Sequence, residues 1–408
     1  MFDHLEIYDP RERWLIGAAD LGLGALSLPF RLMSRRPPQR PGRILLLRLE
    51  RIGDLLMSLG AIAAVRRLAP EAEIDLVVGR WNAEIARLLP TVNRVDVVDA
   101  PWLARGEPGA DYGTLRRHAH GWRHRHYDLA INFEGDIRSH GLMALSRARR
   151  RVGFGMAGGG PLLTDVVAHD ASRHVAANSL ALVERAFDLT PGSLPAPPAP
   201  EALAEWRLPL PERAASAAGA ALAQLAGGTL PARLIGLHAA GGRQIKQWAP
   251  ERFAQAGLRL ARELGAAVVL TGGPEDASIV DGVELALKQA GVTTLRVQGT
   301  VDLVILAGVL RRCQLLLTGD TGPMHLAAAV GTPVVAVFGP SMPWRYAPLI
   351  AEHRIVRIDL PCSPCNRIRR PPERCVGHVP DCLEGVTVDA VVAAARELAA
   401  TLTPLSVR

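Results

Sequence analysis

At 408 residues the chain is too long for one ordinary domain and long enough for two, and an apolar share of 49% supplies material for two cores. This is a globular composition and excludes a disordered or fibrous chain. The net charge of +7, from 47 basic and 40 acidic residues, suits an anionic substrate or an anionic membrane surface. No block of Lys and Arg with interleaved aromatics marks a nucleic-acid groove.

The N-terminus begins with acids, and no small-residue cleavage site follows its first apolar stretch, so the sequence predicts a cytosolic chain. That stretch, "WLIGAADLGLGALSLPFRLMSRR" at 14 to 36, is short for a spanning helix and is broken by Asp20, glycines and Pro29. Arg31, Arg35, Arg36 and Arg40 follow. The pattern suits a helix lying on the inner face of a membrane, and equally a helix packed on the protein's own surface.

From residue 43 strands and helices alternate. "RILLLRL" reads as a strand, "LMSLGAIAAVRRLA" as one amphipathic helix, "EIDLVVG" as a strand, "WNAEIARLL" as a helix, and "VDVVDA", "YDLAINFEG" and "RRVGFG" as strands. A helix is predicted over 174 to 188. "LTPGSLPAPPAPEALAEWRLPLP" then reads as a proline-rich linker. After it the rhythm restarts, with strands "ARLIGLHA", "AAVVLTGG", "TTLRV", "QLLLTGD" and "TPVVAVFG" separated by helices, and a closing helix "VTVDAVVAAARELAATL". Such alternation predicts an α/β fold, with two parallel sheets covered by helices and a cleft between two halves. The expected organisation is an N-terminal extension at 1–42, a first domain at 43–205 and a second at 206–408. Ligands of these folds bind at the carboxyl ends of the strands.

Polar clusters fall at those ends. In "RLERIGDLLMS", 48 to 58, Asp54 stands at the turn from the first strand into a helix. In "GDTGPMH" the turn into a helix carries Asp320, Thr321 and Gly322, with His325 one turn in. The amides of a helix start attract anions, and glycine admits a phosphate closely. The same residues also serve a plain N-cap. Lys246, in "HAAGGRQIKQW", places a cation near a strand end or stands on a solvated loop. Glu275, in "GGPED", is suited to ribose hydroxyls or to helix capping. Three such clusters in one half make a pyrophosphate-and-ribose site.

"RILLLRLERIGDLLMSLGAIAAVRRLAPEAEIDLVVG", "YDLAINFEGDIRSHGLM", "RRVGF", the K-x-W-x-P-E-R-F run at 246 to 253 and "DTGPMHLAAAVGTPVVAVFGP" together resemble the family 9 glycosyltransferases, the ADP-heptose:lipopolysaccharide heptosyltransferases and their relatives. The resemblance covers about 43 to 400. It implies a GT-B architecture of two Rossmann-like domains facing a central cleft, with the acceptor against the first domain and the nucleotide-sugar in the second. It implies inverting, single-displacement transfer of a sugar, heptose favoured, from a nucleotide-diphosphate donor such as ADP-heptose to a lipopolysaccharide-core-like or other surface glycan. No metal is required for that chemistry. Carried over by motif, Asp54 matches the general base, Lys246 the lysine at the donor pyrophosphate, and Glu275 the acid at the ribose. Asp320, Thr321, Gly322 and His325 match the phosphate-binding turn. The chain departs from the pattern after His238, where "AAGG" replaces hydroxyl residues, so that backbone amides would take over as donors. Such an enzyme would be cytoplasmic, or peripheral on the inner face of the cytoplasmic membrane. The readings weighed beside it are a protein (autotransporter-type) heptosyltransferase, a GT-B-type nucleotide-sugar epimerase and a non-catalytic nucleotide-sugar-binding scaffold at the membrane.

"CSPCNRIRRPPERCVGHVPDC" places Cys362, Cys365, Cys375 and Cys382 at C-x2-C-x9-C-x6-C spacing. This suggests a structural zinc knuckle, or four unrelated thiols on a loop. Relatives that modify proteins carry a cysteine-bound iron, so the resemblance adds iron as a candidate. "RRHAHGWRHRHYD", 116 to 128, reads as a solvated basic helix face or as a clamp for anionic groups of a lipid-linked acceptor.

Overall fold

A computed structural model describes residues 2, 5–32, 40–103, 111–196, 203–349 and 351–401, with side chains omitted for 26–32. Arg35, Arg36 and part of the proline-rich linker lie outside the described residues, as does the side chain of Arg31. The chain divides into two compact units, Met1–Trp206 and Arg207–Arg408.

The first unit holds strands β1 (Arg43–Arg48), β2 (Glu73–Val78), β3 (Arg94–Val97), β4 (Leu129–Asn132), β5 (Arg150–Phe154) and β6 (Asp165–Val167). The second holds β7 (Leu234–His238), β8 (Ala267–Leu270), β9 (Thr294–Arg296), β10 (Leu316–Gly319), β11 (Val334–Val337) and β12 (His353–Val356). The sheet orders are β3-β2-β1-β4-β5-β6 and β12-β11-β10-β7-β8-β9, and every named pairing is parallel. Numbered within its own unit, each sheet therefore runs 3-2-1-4-5-6, the doubly wound Rossmann order, and its parallel pairing is the one that the alternation predicts. The physical cause is visible in the central strands. β4, β7, β8, β10 and β11 are buried at every residue and β1 at all but its first, because helices cover both faces of a parallel sheet.

Five elements differ from the sequence reading. "LMSLGAIAAVRRLA" is not one helix but Ile52–Leu56 followed by Leu59–Leu68. The Ser58 hydroxyl donates to the Asp54 carbonyl at 2.9 Å, occupying the acceptor that the Ser58 amide would use in an unbroken helix, and that amide turns to Leu55 at 2.9 Å. Edge strands β6 and β12 went unread because "DVV" and "HRIV" are short and only partly apolar. Helices Ile137–Leu145 and Glu212–Leu225 also lacked a legible period.

Helix Pro10–Leu32 packs one face on the first unit. Asp20 accepts from the Gly159 amide at 2.7 Å, and a side chain at Gly158 would collide with Ile16. No helix among the described residues is long and apolar enough to cross a membrane.

Candidate active site

In the first unit Asp54 stands at the carboxyl end of β1, in the middle strand pair of the sheet, on the first turn of helix Ile52–Leu56. Its Oδ2 accepts from the Arg51 amide at 3.1 Å while its own amide donates to the Arg51 carbonyl at 3.0 Å, a reciprocal helix-start arrangement. Its Oδ1 faces the Arg48 guanidinium at 3.6 Å. The Asp54 side chain keeps 28% of its surface open, so the carboxylate remains accessible despite these contacts. Capping and reactivity are therefore compatible at one residue.

Arg48 is buried at the end of β1. Its Nε donates to the Asp54 carbonyl at 3.1 Å and its guanidinium to the Phe133 carbonyl at 2.8 Å. The strand reading "RILLLRL" includes it without assigning it a role. A charged residue ending a fully buried strand was the available signal.

In the second unit the Lys246 ammonium lies 2.7 Å from Asp320 Oδ2. Asp320 follows β10 directly, and helix Gly322–Ala329 starts beyond it from an extended Thr321 at φ −141° and ψ 167°. Burial would raise the Asp320 carboxyl, but Lys246, with Ser341 and His325, holds it below the usual carboxylate range. Asp320 is thus a carboxylate at neutral pH. Thr321 shares a hydroxyl–hydroxyl contact of 3.0 Å with Thr318, and His325 is buried one turn into the helix. A Cβ built on Gly241 would lie 3.8 Å from the Thr321 methyl, so the glycine-bearing loop after β7 runs beside the helix start. Lys246, Asp320, Thr321, Gly322 and His325 are brought into one locality, at the ends of adjacent strands β7 and β10.

Glu275 follows β8, the next strand in the sheet, and is exposed, with its carboxylate folded back over Gly273. The cap of that turn is Asp276, whose Oδ2 accepts from the Gly273 amide at 2.8 Å, so Glu275 is not spent on capping. His238, at the end of β7, is buried, and burial pushes its imidazole down to about 4 against a bond to Thr271 that works the other way. Its Nδ1 lies 3.0 Å from the Thr271 hydroxyl. Trp248, in the K-x-W motif, is fully buried. It donates to the Val386 carbonyl at 3.1 Å and packs edge-on to Phe253, with ring centres 4.9 Å apart. The motif thus joins a site cation to the anchor that fixes its loop.

The cysteine segment shows no gathered metal-ligand set among the described residues. Cys382 is buried beside Gly339 while Cys362 is exposed, and all four thiols of the segment are free. Among the described residues no three His, Cys, Asp or Glu side chains are gathered closely enough to hold a metal ion. Burial raises the Cys382 thiol, with Cys365 and Cys375 near enough to add to the rise.

The histidine-rich segment forms helix Tyr112–Gly121 and the turn Trp122–Arg125. His118 meets Asp96 at 2.9 Å, Trp122 donates to Asp96 at 2.6 Å, and Arg125 pairs with Asp75 at 3.1 Å. Asp75 and Asp96 are the third residues of β2 and β3, so these contacts tie the basic helix and turn to the two outer strands beside β1.

The model of glycosyltransferase family 9 (heptosyltransferase) matches residues 115–375. Lipopolysaccharide heptosyltransferase 2 of Salmonella typhimurium is 26% identical over 317 residues, covering 75% of this chain and 85% of that protein. The crystal structure of a family 9 glycosyl transferase from Veillonella parvula superposes with a TM-score of 0.71 at 24% identity, over 88% of this chain and 98% of that one. The E. coli ADP-heptose lps heptosyltransferase II structure gives 0.68 at 22% identity, over 88% and 98%. These likenesses place the two Rossmann-like units in the GT-B fold class.

Proposed function

This chain belongs to glycosyltransferase family 9, and from that membership we propose that it transfers heptose from ADP-heptose to a lipopolysaccharide-core acceptor, with inversion at the anomeric carbon. Asp54 takes the proton from the acceptor hydroxyl as its oxygen bonds to the anomeric carbon. The bond from that carbon to the diphosphate oxygen breaks, and ADP leaves with the electron pair. Lys246 and the amides starting helix Gly322–Ala329 stabilise the charge on the leaving diphosphate, so no metal enters the step. Asp320 holds Lys246 at that helix start, and Glu275 meets the ribose hydroxyls.

The observation that carries this reading is the pair of part-buried Lys246 with buried Asp320 at 2.7 Å, standing at a helix start beside a glycine-bearing loop. A solvated loop lysine would not be held there.

The enzyme works at the cytoplasmic face of an anionic membrane. Support comes from helix Pro10–Leu32. The face opposite Asp20 leaves Trp14, Leu15 and Leu21 at 60%, 63% and 60% exposure. Between Asp20 and the start of β1 the sequence carries four arginines, Arg31, Arg35, Arg36 and Arg40, and no acid. Apolar side chains beside such a run are the elements of interfacial attachment.

The test is mass spectrometry of a deacylated lipopolysaccharide core incubated with the protein and ADP-heptose, beside other nucleotide-sugars. Gain of one heptose on the core only with ADP-heptose supports the assignment. Heptose released to water, or transfer from a different donor, overturns it.

A further inference from the structure

Beneath Asp54 lies a group of buried polar side chains that the transfer chemistry does not itself use. Glu134 follows β4 and is buried, with its Oε1 accepting from the amides of Leu49 and Glu50, the latter at 2.9 Å. Those two amides begin the turn from which Asp54 rises. The Glu50 carbonyl in the same turn accepts from Trp81 Nε1 and Asn82 Nδ2, both at 2.7 Å. Arg51 lies over the Trp81 ring at 4.3 Å and donates to the Leu103 carbonyl at 2.6 Å. Arg48 links these parts. It reaches Glu50 at 3.4 Å, Asp54 Oδ1 at 3.6 Å and the carbonyls of Asp54 and Phe133, the last being the residue before Glu134. The carboxyl groups of Glu50 and Asp54 thus face one buried guanidinium, with Glu134 near enough to feel its charge.

We propose that Arg48 and Glu134 are positioning residues for Asp54, Arg48 fixing its carboxylate and carbonyl and Glu134 fixing the backbone of the turn that carries it. The proposal rests on the reading of Asp54 as the base. Glu134 does this work as a neutral carboxyl at pH 7. Burial, and after it the facing Glu50, push it up to about 8 against the pull of Arg48 and the two amides. The other charged groups near it are accounted for. Asp136 is paired with Arg138 at 2.5 Å. His140 meets the Gly158 carbonyl through Nδ1 at 3.1 Å and is held below its ordinary value by burial, so it is neutral at pH 7. Loss of the Glu134 proton adds a third anion around Arg48, which then divides its charge among Glu50, Glu134 and Asp54. The hold on Asp54 weakens on the alkaline side.

Trp81 gives a readout that needs no substrate, since its indole N–H is bonded to the turn. Its resonance, assigned with Trp81→Phe, should move between pH 7 and 9 in the unaltered protein and stay still in Glu134→Gln. An amide oxygen still accepts from both backbone amides but cannot titrate. In transfer assays kcat should fall about tenfold over the same range, as one ionisation near 8 dictates, and the fall should vanish in Glu134→Gln. Glu134→Ala should lose activity at every pH, with Glu134→Gln restoring it at pH 7. Arg48→Lys should lower kcat with donor KM unchanged. A Trp81 signal that is still in the unaltered protein, or moves equally in Glu134→Gln, overturns the proposal, as does an unchanged kcat in Arg48→Lys. Failure of the base reading is seen separately, in an active Asp54→Asn.

Discussion

The Lys246 ammonium and the Asp320 carboxylate, 74 residues apart in the chain, meet at 2.7 Å, with 21% and 10% of their side-chain surfaces open. An ion pair so placed is costly to desolvate, and breaking one side leaves the other buried without its partner. A lysine whose only role is solubility would not be so held. The pair orders the cation in advance, so that little reorganisation is needed when a diphosphate arrives.

Lys246→Ala should therefore lower kcat and raise the donor KM together, since the cation acts on bound diphosphate and on the charge that grows as it leaves. Loss of one charged hydrogen bond of about 1.5–3 kcal/mol corresponds to roughly ten- to hundredfold in kcat/KM. Steady-state kinetics with donor and acceptor varied in turn is the check. A change confined to acceptor KM would remove Lys246 from the donor site.

Trp248 stands two residues after Lys246 and is fully buried. Trp248→Ala should cost about 3–5 kcal/mol, the usual penalty for emptying a large aromatic site. Denaturant unfolding measures it. Because the ring also anchors the Lys246 loop, donor affinity should fall even where most molecules remain folded.

His238 is neutral and buried, with its imidazole held down to about 4 by burial. The unfolded chain takes up its proton near 6.5, so this histidine's contribution to stability is complete above that value. It is lost progressively as pH falls from about 6.5 towards 4, by about 3 kcal/mol at most. His238→Gln cannot titrate and should show a flatter fall of melting temperature over that window. Parallel melting curves for the two proteins would contradict the assignment.

Trp14, Leu15 and Leu21 face outward from helix Pro10–Leu32, whose other face is pinned through Asp20. Trp14→Ser combined with Leu21→Ser should release the protein from vesicles containing phosphatidylglycerol and leave transfer to a soluble core fragment intact. Salt should weaken attachment of the unaltered protein, each basic residue near the surface adding about 1 kcal/mol. Vesicle co-sedimentation decides it, and undiminished binding by the double variant would rule out this face.

The two doubly wound sheets were legible because their central strands are continuous apolar runs such as "RILLL" and "VVAV", a pattern that only burial on both faces produces. What escaped was set by tertiary contacts. The break after Leu56 depends on a Ser58 hydroxyl and a buried Arg48 competing for one carbonyl, and nothing local to "LMSLGAIAA" announces it. Asp54, Lys246 and the Asp320 turn were visible because each follows a strand. Glu134 serves a turn some eighty residues earlier in the chain, a partnership that only the pairing of β1 with β4 creates. The cysteine spacing was legible, and Cys365 and Cys375 do lie near Cys382, but spacing along a chain does not by itself say whether they gather round a metal.

The central claim is that Asp54 removes the acceptor's proton, and Asp54→Asn tests it most directly. An amide caps the helix start about as well as a carboxylate and accepts the same Arg51 amide, so fold and donor binding should persist. It cannot take up the proton. Single-turnover transfer from ADP-heptose to the core acceptor should slow by about two to four orders of magnitude with ADP affinity unchanged. Near-normal turnover by Asp54→Asn would contradict the account and leave Asp54 a helix cap alone.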